Sequence, residues 1–256
     1  MNSKIISKSI LWKFAERLCT QGMSFIVSII LARMLLPEDY GIISMILVFI
    51  NIAEVFVSSG FNAALIQKKD ADDVDFSTIF YCSILLSLIL YGLLYVFAPY
   101  IADFYGQAEL IRVLRVLGVR LLVNAYNSIQ SAYVSRHMQF RKFFFSTIIG
   151  TMLSAIVGIF LAYRGAGYWA LVTQYLCNAV VNAVVLSITI NWHPKLVFSK
   201  SRAKVLISFG GRVMVADFIG TLYNEMRALV IGRYYSSADL AYYNKAEQFP
   251  NLFPDS

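Results

Sequence analysis

Long apolar segments separated by short polar turns dominate this chain. A helix needs roughly 20 apolar residues to cross a hydrocarbon core of about 30 Å. Six segments reach that length, at residues 19–36, 41–66, 76–101, 143–163, 165–190 and 205–231. A weaker seventh, at 110–134, carries three arginines near its start. The segments lack the alternation of barrel strands, and unpaired backbone is costly in lipid, so they are predicted to be membrane helices.

The composition and the placement of charge suit a membrane protein. Hydrophobic residues make up 59% of the chain, charged residues make up 14%, and the net charge is +7. If the N-terminus is cytoplasmic, the inner segments hold most of the basic residues, namely Lys4, Lys8, Lys68, Lys69, Arg136, Arg141, Lys142, Lys195, Lys200, Arg202 and Lys204. This positive-inside pattern predicts a multi-pass protein of the cell inner membrane with a cytoplasmic N-terminus. Binding to nucleic acid is not needed to explain the charge.

An internal repeat divides the chain. The segment from Arg33 to Gly41 aligns with the segment that starts at Arg233, so that Asp39 matches Asp239 at an offset of 200 residues. Both segments directly follow an apolar span. We therefore expect an all-α, polytopic inner-membrane helical bundle, with an N-terminal six-helix lobe at 1–200 and the start of a repeat-related second lobe at 201–256. Most of that second lobe is expected to lie beyond Ser256. Chance similarity between two helix ends is the alternative.

Polar residues spaced three and four apart form stripes on four of the predicted helices. Residues with this spacing share one face of a helix. The stripes comprise Lys13, Arg17, Gln21, Ser24 and Ser28; Asn51, Glu54, Ser58 and Asn62; Arg120, Asn124, Asn127, Ser131 and Ser135; and Gln174, Asn178 and Asn182. A charge in a membrane helix is costly, so such faces are expected to line an aqueous cavity. Hydrogen bonding between helices is the plainer explanation for the amides and serines.

One predicted helix carries small residues instead of a polar stripe. Ser146, Gly150, Ser154 and Gly158 form a ridge that predicts close approach by another helix. No phosphate loop or dinucleotide motif occurs, so the sequence predicts neither an enzyme nor a bound cofactor. The three cysteines lie within apolar segments and indicate neither disulfides nor a metal site.

Several segments together resemble the polysaccharide and oligosaccharide flippases, the Wzx-like members of the multidrug, oligolipid and polysaccharide exporter superfamily. They are 36–41 (LPEDYG), 60–67 (GFNAALIQ), 138–142 (MQFRK), 165–171 (GAGYWAL) and 208–210 (SFG). The resemblance covers nearly the whole chain as the N-terminal portion of such a protein. It implies two lobes that give alternating access to a central cationic cavity. The implied partners are an undecaprenyl-diphosphate-linked oligosaccharide, membrane lipids, and the polymerase and glycosyltransferases of polysaccharide synthesis.

Candidate site residues follow from the stripes and the resemblance together. Arginine donates bidentate hydrogen bonds that suit a diphosphate. The candidates for binding substrate in the cavity are Arg17, Gln21, Arg33, Arg112, Arg115, Arg120, Asn124 and Arg227. Moving a carrier against a gradient requires a coupling ion, for which membrane carboxylates are the usual ligands. The candidates for that role are Glu54, Asp217 and Glu225.

Three other functions stay open at this point. A multidrug or organic-cation antiporter of the same superfamily would prefer an anionic cavity, whereas the stripes here are basic. A membrane glycosyltransferase or polymerase would be expected to carry a sizeable loop outside the membrane with clustered acids or histidines, and the predicted outer loops are short. A non-transporting assembly partner is the third alternative.

Overall fold

A computed structural model describes residues 3–248 of the chain, and side chains within 11–247. Over that part the chain forms helices joined by short turns, with no strand among the described residues. The helices are α1 (Ser3–Ala32), α2 (Pro37–Gln67), α3 (Asp73–Tyr105), α4 (Glu109–Leu117), α5 (Arg120–Arg136), α6 (Phe140–Tyr163), α7 (Tyr168–Thr189), α8 (Lys200–Tyr234) and α9 (Ser237–Gln248). Six of them are long and apolar enough to cross a membrane, namely α1, α2, α3, α6, α7 and α8. The prediction of an all-α, multi-pass bundle is confirmed.

The end of α1 differs from the prediction. The predicted span reached Leu36, whereas the helix ends at Ala32 and a short turn follows. Leu36 is extended, with φ −73° and ψ 151°, because a residue before proline is pushed out of the helical region. Pro37 then opens α2, where its missing N–H is not needed.

The predicted span at 110–134 is broken into α4 and α5 at Gly118. Leu121 N donates to Gly118 O at 3.0 Å, so the helix tightens to a three-residue step at this point. Tyr91 of α3 packs against the break, since a Cβ on Gly118 would lie 3.1 Å from its ring. The buried face of α4 is apolar, with Leu110 and Leu117 fully buried. The break therefore lets α4 turn its apolar face to α3, while Arg112 stays exposed and Arg115 packs on Tyr95.

The broken pair α4–α5 nevertheless runs the length of α3 in the opposite direction. Successive residues of the pair contact progressively earlier residues of α3. The contacts are Arg115 O with Tyr91 Oη at 3.1 Å, the Tyr126 and Phe80 rings at 5.6 Å, and the Tyr133 and Phe76 rings at 5.6 Å. The pair thus returns the chain to the end of the bundle from which α3 started.

The segments predicted to be cytoplasmic meet at one end of the bundle. Lys68 pairs with Asp75 at 2.6 Å, and Lys195 pairs with Asp73 at 2.6 Å. Arg202, in the first turn of α8, pairs with Asp72. The hydrogen bond from Arg202 lowers the pKa of the Asp72 carboxyl to about 2, so Asp72 is ionised at any physiological pH. Two predicted inner segments, the turn between α2 and α3 and the stretch from α7 to α8, are therefore tied together by charge.

Helix α2 is the central element that α8 follows from end to end. The two helices are antiparallel, with contacts spread along both. The pairs are Gly60 with Gly210, Phe56 with Phe218, Asn51 with Glu225, Met45 with Gly232, and Gly41 with Ser237 at the start of α9. At the first crossing the helix backbones touch, since a Cβ on either glycine would overlap the carbonyl oxygen of the other.

The predicted small-residue ridge lies where α6 packs on α7. Ser146 Oγ donates to Asn182 Oδ1 at 2.8 Å. A Cβ on Gly150 would lie 2.7 Å from the Asn182 amide, and one on Gly158 would lie 3.1 Å from Gln174. The ridge therefore lets two amide side chains of α7 lie directly against the α6 backbone, as the sequence predicted.

Candidate functional site

A polar cavity of about 370 Å³ lies between α1, α5, α6 and α7. Three of the predicted polar stripes converge on it. Its polar lining includes Thr20, Ser24 and Ser28 of α1, Arg120, Asn124 and Asn127 of α5, Thr147, Thr151 and Ser154 of α6, and Gln174, Asn178 and Asn182 of α7. The plainer explanation of the stripes also holds in part, because several of these groups bond to one another. The cavity sits inside a bundle whose outer surface is apolar.

Arg120 is the positive charge on the α5 side of this cavity. Its Nε lies 3.2 Å from Glu54 Oε1, and its guanidinium stands 5.5 Å from the centre of the Tyr175 ring. Asn124 donates to the same Glu54 oxygen at 2.6 Å. The Arg120 and Glu54 side chains are 22% and 20% exposed, so the pair is largely shielded. Glu54 thus contacts Arg120 from the α2 side, while the guanidinium faces the cavity.

Lys245 of α9 supplies a second positive charge. Its Nζ donates to Ser28 Oγ at 2.6 Å and stands 4.4 Å from the centre of the Tyr40 ring. Both partners also line the cavity. No carboxylate of the described residues lies within ion-pair distance of Lys245. Helix α9 thus brings a cation into a cavity formed mainly by other helices.

The α6–α7 wall of the cavity is a chain of hydroxyl and amide groups. Asn178 Nδ2 donates to Ser154 Oγ at 3.3 Å, and Asn182 Nδ2 donates to Asn178 Oδ1 at 3.2 Å. Ser146 continues the chain to Asn182. Such groups both donate and accept hydrogen bonds, as the hydroxyl groups of a sugar do.

A second polar cavity, of about 410 Å³, lies between α2, α8 and α9. Asn51 donates to Glu225 Oε1 at 2.9 Å. Arg227 pairs with Glu247 at 3.0 Å and donates to Tyr243 Oη at 3.0 Å. The two acids here are thus each engaged by a partner. The candidates Glu225 and Arg227 belong to this cavity and not to the first.

The remaining candidates line neither cavity. Arg115 packs on the Tyr95 ring at 4.2 Å. Gln21 is partly buried, while the other four have exposed side chains, namely Arg17, Arg33, Arg112 and Asp217. Arg17 shares a helix face with Ser24 but lies seven residues earlier, about 10 Å along the axis. The stripe on α1 therefore continues past the end of the cavity, and only its later part lines it.

Sequence reasoning missed Lys245 and the two tyrosines of the first cavity, Tyr40 and Tyr175. The tyrosines look like ordinary residues of the membrane interface, where aromatic side chains are common. Lys245 lies in a polar stretch whose placement depends on how α9 packs against α2, from where the lysine side chain reaches Ser28 of α1. A lysine in the expected start of a further span was the available signal.

Comparisons with known proteins agree with the resemblance. Residues 30–254 match the sequence family described as polysaccharide biosynthesis protein. The succinoglycan biosynthesis transport protein ExoT of Rhizobium meliloti (strain 1021) is 25% identical over 98% of this chain and 51% of its own length. The teichuronic acid biosynthesis protein TuaB of Bacillus subtilis (strain 168) is 26% identical over 78% of this chain and 42% of its own.

The lipopolysaccharide biosynthesis protein WzxC of Escherichia coli (strain K12) is 20% identical over 92% of this chain and 48% of its own. The chain thus spans about half the length of these relatives. Among solved structures, the fold is similar to an inward-facing multidrug resistance MATE family transporter of the MOP superfamily, with a TM-score of 0.62 and 16% identity over 95% of this chain and 58% of that one. At this identity the likeness concerns the fold alone.

Proposed function

Because this chain belongs to the polysaccharide biosynthesis protein family, we propose that the protein is a flippase. It moves an undecaprenyl-diphosphate-linked oligosaccharide from the cytoplasmic to the outer leaflet of the cell inner membrane. The substrate has a polar glycan, an anionic diphosphate and an isoprenoid tail, and only the first two need shelter from hydrocarbon. The observation that carries the proposal is the polar cavity lined by Arg120 and Lys245 inside an apolar bundle.

The cavity chemistry favours this substrate over an organic cation. Both charged residues among its described lining are positive, and its walls are rich in amides and hydroxyls. A cation would be repelled from such a site, whereas an anionic glycan lipid would find charge-assisted and neutral hydrogen bonds together.

We further propose that α8 and α9 begin a second lobe and that transport occurs by alternating access between the two lobes. Matching caps at the two repeat positions support this division. Leu36 N donates to Asp39 Oδ2 at 3.1 Å, and Ser236 N donates to Asp239 Oδ2 at 3.1 Å. In this view α2 is the element along which the lobes meet, with lipid-linked sugar delivered by glycosyltransferases and consumed by a polymerase.

The test is a flipping assay on the protein expressed from its gene and reconstituted into liposomes. The liposomes contain a fluorescent undecaprenyl-diphosphate-linked oligosaccharide, and a membrane-impermeant quencher is added outside. Flipping is expected to make the inner-leaflet fraction accessible to the quencher over time, and liposomes without protein are the control. Quenching no faster than in that control, or uptake of ethidium in place of lipid flipping, would contradict the proposal.

A further inference from the structure

The first turns of α1 and α6 that lie in the bundle meet in a cluster of cations and aromatic rings. Trp12 of α1 packs against Phe144 of α6, with ring centres 5.1 Å apart. The Lys13 ammonium stands 5.4 Å from the centre of the Phe140 ring, and the Arg141 guanidinium stands 5.9 Å from the centre of the Trp12 ring. Each helix thus places a cation over an aromatic ring of the other.

Basic residues near α3 at this end of the bundle are neutralised, whereas the two cations of the cluster are not. Lys68, Lys195 and Arg202 each pair with an aspartate in or just before the first turn of α3. Among the described residues, no carboxylate lies within ion-pair distance of Lys13 or Arg141. A charged group at a membrane surface that has no partner in the protein is free to pair with an opposite charge outside it.

The local sequence leaves this part of the molecule strongly positive. Glu16 is the nearest acid along the chain to Lys13, and its side chain interacts with Thr147 of α6. Within residues 11–17 and 140–147, four basic residues stand against this one acid, a net charge of +3. The ten residues before them in α1 contain lysines and no acid. The missing negative charge must therefore come from a partner.

The cluster lies on the outer surface of the bundle, where two candidate spans begin. Lys13 and Arg141 are exposed, and the neighbouring Phe14 side chain is 60% exposed. The spans start at Leu11 and Phe140, so each cation lies within about 3 Å of the start of a span along the helix axis. This is the depth at which lipid headgroups meet acyl chains. The surface is thus cationic at the level of the headgroups and apolar beside it.

From these observations we propose that Lys13 and Arg141 bind the phosphate of an anionic phospholipid in the leaflet at this end, while Phe14 and Leu18 contact its acyl chains. Such a lipid supplies both the charge and the apolar surface that the cluster lacks. It would span the seam between α1 and α6, the helix against which α1 packs most. The inference goes beyond the proposed function, because this lipid stays bound and is not the transported substrate. It also gives a role to the segment 138–142 (MQFRK), which lines neither polar cavity.

Tryptophan quenching by brominated lipids measures binding at the cluster itself. The protein expressed from its gene is reconstituted into phosphatidylcholine vesicles that contain brominated phosphatidylglycerol or brominated phosphatidylcholine. The quenching that disappears in Trp12→Phe is the signal of Trp12, separate from that of Trp169 and Trp192. We expect Trp12 to prefer phosphatidylglycerol. Lys13→Gln and Arg141→Gln should each reduce that preference about fivefold, which is the typical contribution of one basic residue at an anionic surface.

Lys204→Gln is the matched control. Lys204 lies near the start of α8, at the same end of the bundle, and is exposed. Its replacement removes the same charge and should leave the preference of Trp12 for phosphatidylglycerol unchanged. Lys13→Arg keeps the charge and should retain the preference. Equal preferences in Lys13→Gln, Arg141→Gln and Lys204→Gln would overturn the inference.

Two measurements on the unaltered protein cover the case in which the glutamine variants fold poorly. Added salt should weaken the preference for phosphatidylglycerol, because it screens exposed charges, and a preference independent of salt would contradict the site. Unbrominated phosphatidylglycerol should relieve the quenching of Trp12. Relief by farnesyl diphosphate, but not by unbrominated phosphatidylglycerol at the same mole fraction, would assign the surface to the carrier lipid and overturn the inference.

Discussion

Asp39 links two of the segments on which the family resemblance was based. Its Oδ2 accepts from Leu36 N at 3.1 Å at the start of α2, and its Oδ1 accepts from Tyr168 N at 2.9 Å at the start of α7. The positive ends of two helix dipoles thus share one carboxylate. Gly167 has φ +55° and a Cβ there would lie 3.0 Å from that carboxylate, so glycine suits the position. The two segments therefore form a structural joint beside the first cavity, to whose lining they contribute Tyr40 and Leu171.

Replacing Asp39 should loosen this joint. Asp39→Asn keeps the shape of the side chain but removes its charge and one of its two acceptor oxygens. We expect a loss of about 1 to 2 kcal/mol, as for other helix caps, seen as a lower thermal midpoint in detergent by size-exclusion chromatography. Glu38→Gln is the control, since the neighbouring Glu38 is exposed and has no described hydrogen-bond partner. Equal midpoints for the two variants would mean that Asp39 does not hold α7.

Of the three carboxylates that the sequence offers for ion coupling, Glu54 is the one for which we propose that role, because it pairs with Arg120 beside the first cavity. It is the acid that orients Arg120 and bonds to Asn124. Glu54→Gln is expected to lower gradient-driven flipping more than ligand binding, because the amide can still hydrogen-bond but cannot take up a proton or hold a cation. The measurement is flipping in liposomes with an imposed proton or sodium gradient, beside equilibrium binding. Flipping unchanged at every pH and sodium concentration would leave Glu54 with a structural role.

For the helices, the sequence predicted which face points inward. It did not predict which residues along that face lie level with the cavity. The three- and four-residue spacing correctly placed Ser24, Asn124 and Asn178 on inward faces. Arg17 satisfied the same spacing but lies outside the cavity. Periodicity specifies the face of a helix and does not specify where along the helix axis a cavity ends. The break at Gly118 also escaped prediction, since it depends on Tyr91 of another helix.

The crossing of α2 and α8 offers a sharp test of helix packing. Gly210 and Gly211 are neighbours in α8, but a Cβ on Gly210 would overlap the Gly60 carbonyl, whereas one on Gly211 would meet nothing within 4 Å. Gly210→Ala should therefore lower the thermal midpoint by separating the helices. Gly211→Ala should leave it unchanged or raise it, because alanine favours helix by about 1 kcal/mol. A shift in the same direction for both would contradict the close crossing.

At the scale of the whole molecule, the membrane class and the family followed from the sequence, because hydropathy and short motifs carry this information locally. The side of the membrane on which the basic turns lie stays a prediction from the loop charges. The placement of Lys245 beside Ser28 could not be predicted, because 217 residues separate them and only the packed fold joins them. The division into two lobes stays a prediction, supported by the matching caps of α2 and α9.

The orientation of the bundle in the membrane can be tested directly by labelling single cysteines in intact cells. With the three native cysteines replaced by serine, cysteines at Glu38, Gln107 and Ser236 should react with an impermeant maleimide added outside. Cysteines at Asp72, Gln139 and Ser199 should react only after the cells are opened. The reason is that the turns around the second group hold the basic residues and meet at one end, whereas those of the first group lie at the other.

The informative position is Gln139, which follows α4–α5. Labelling there from outside, with Asp72 protected, would show that the broken pair does not cross, against its full-length antiparallel contact with α3. A reversal of all six positions would instead overturn the cytoplasmic N-terminus and leave the fold intact.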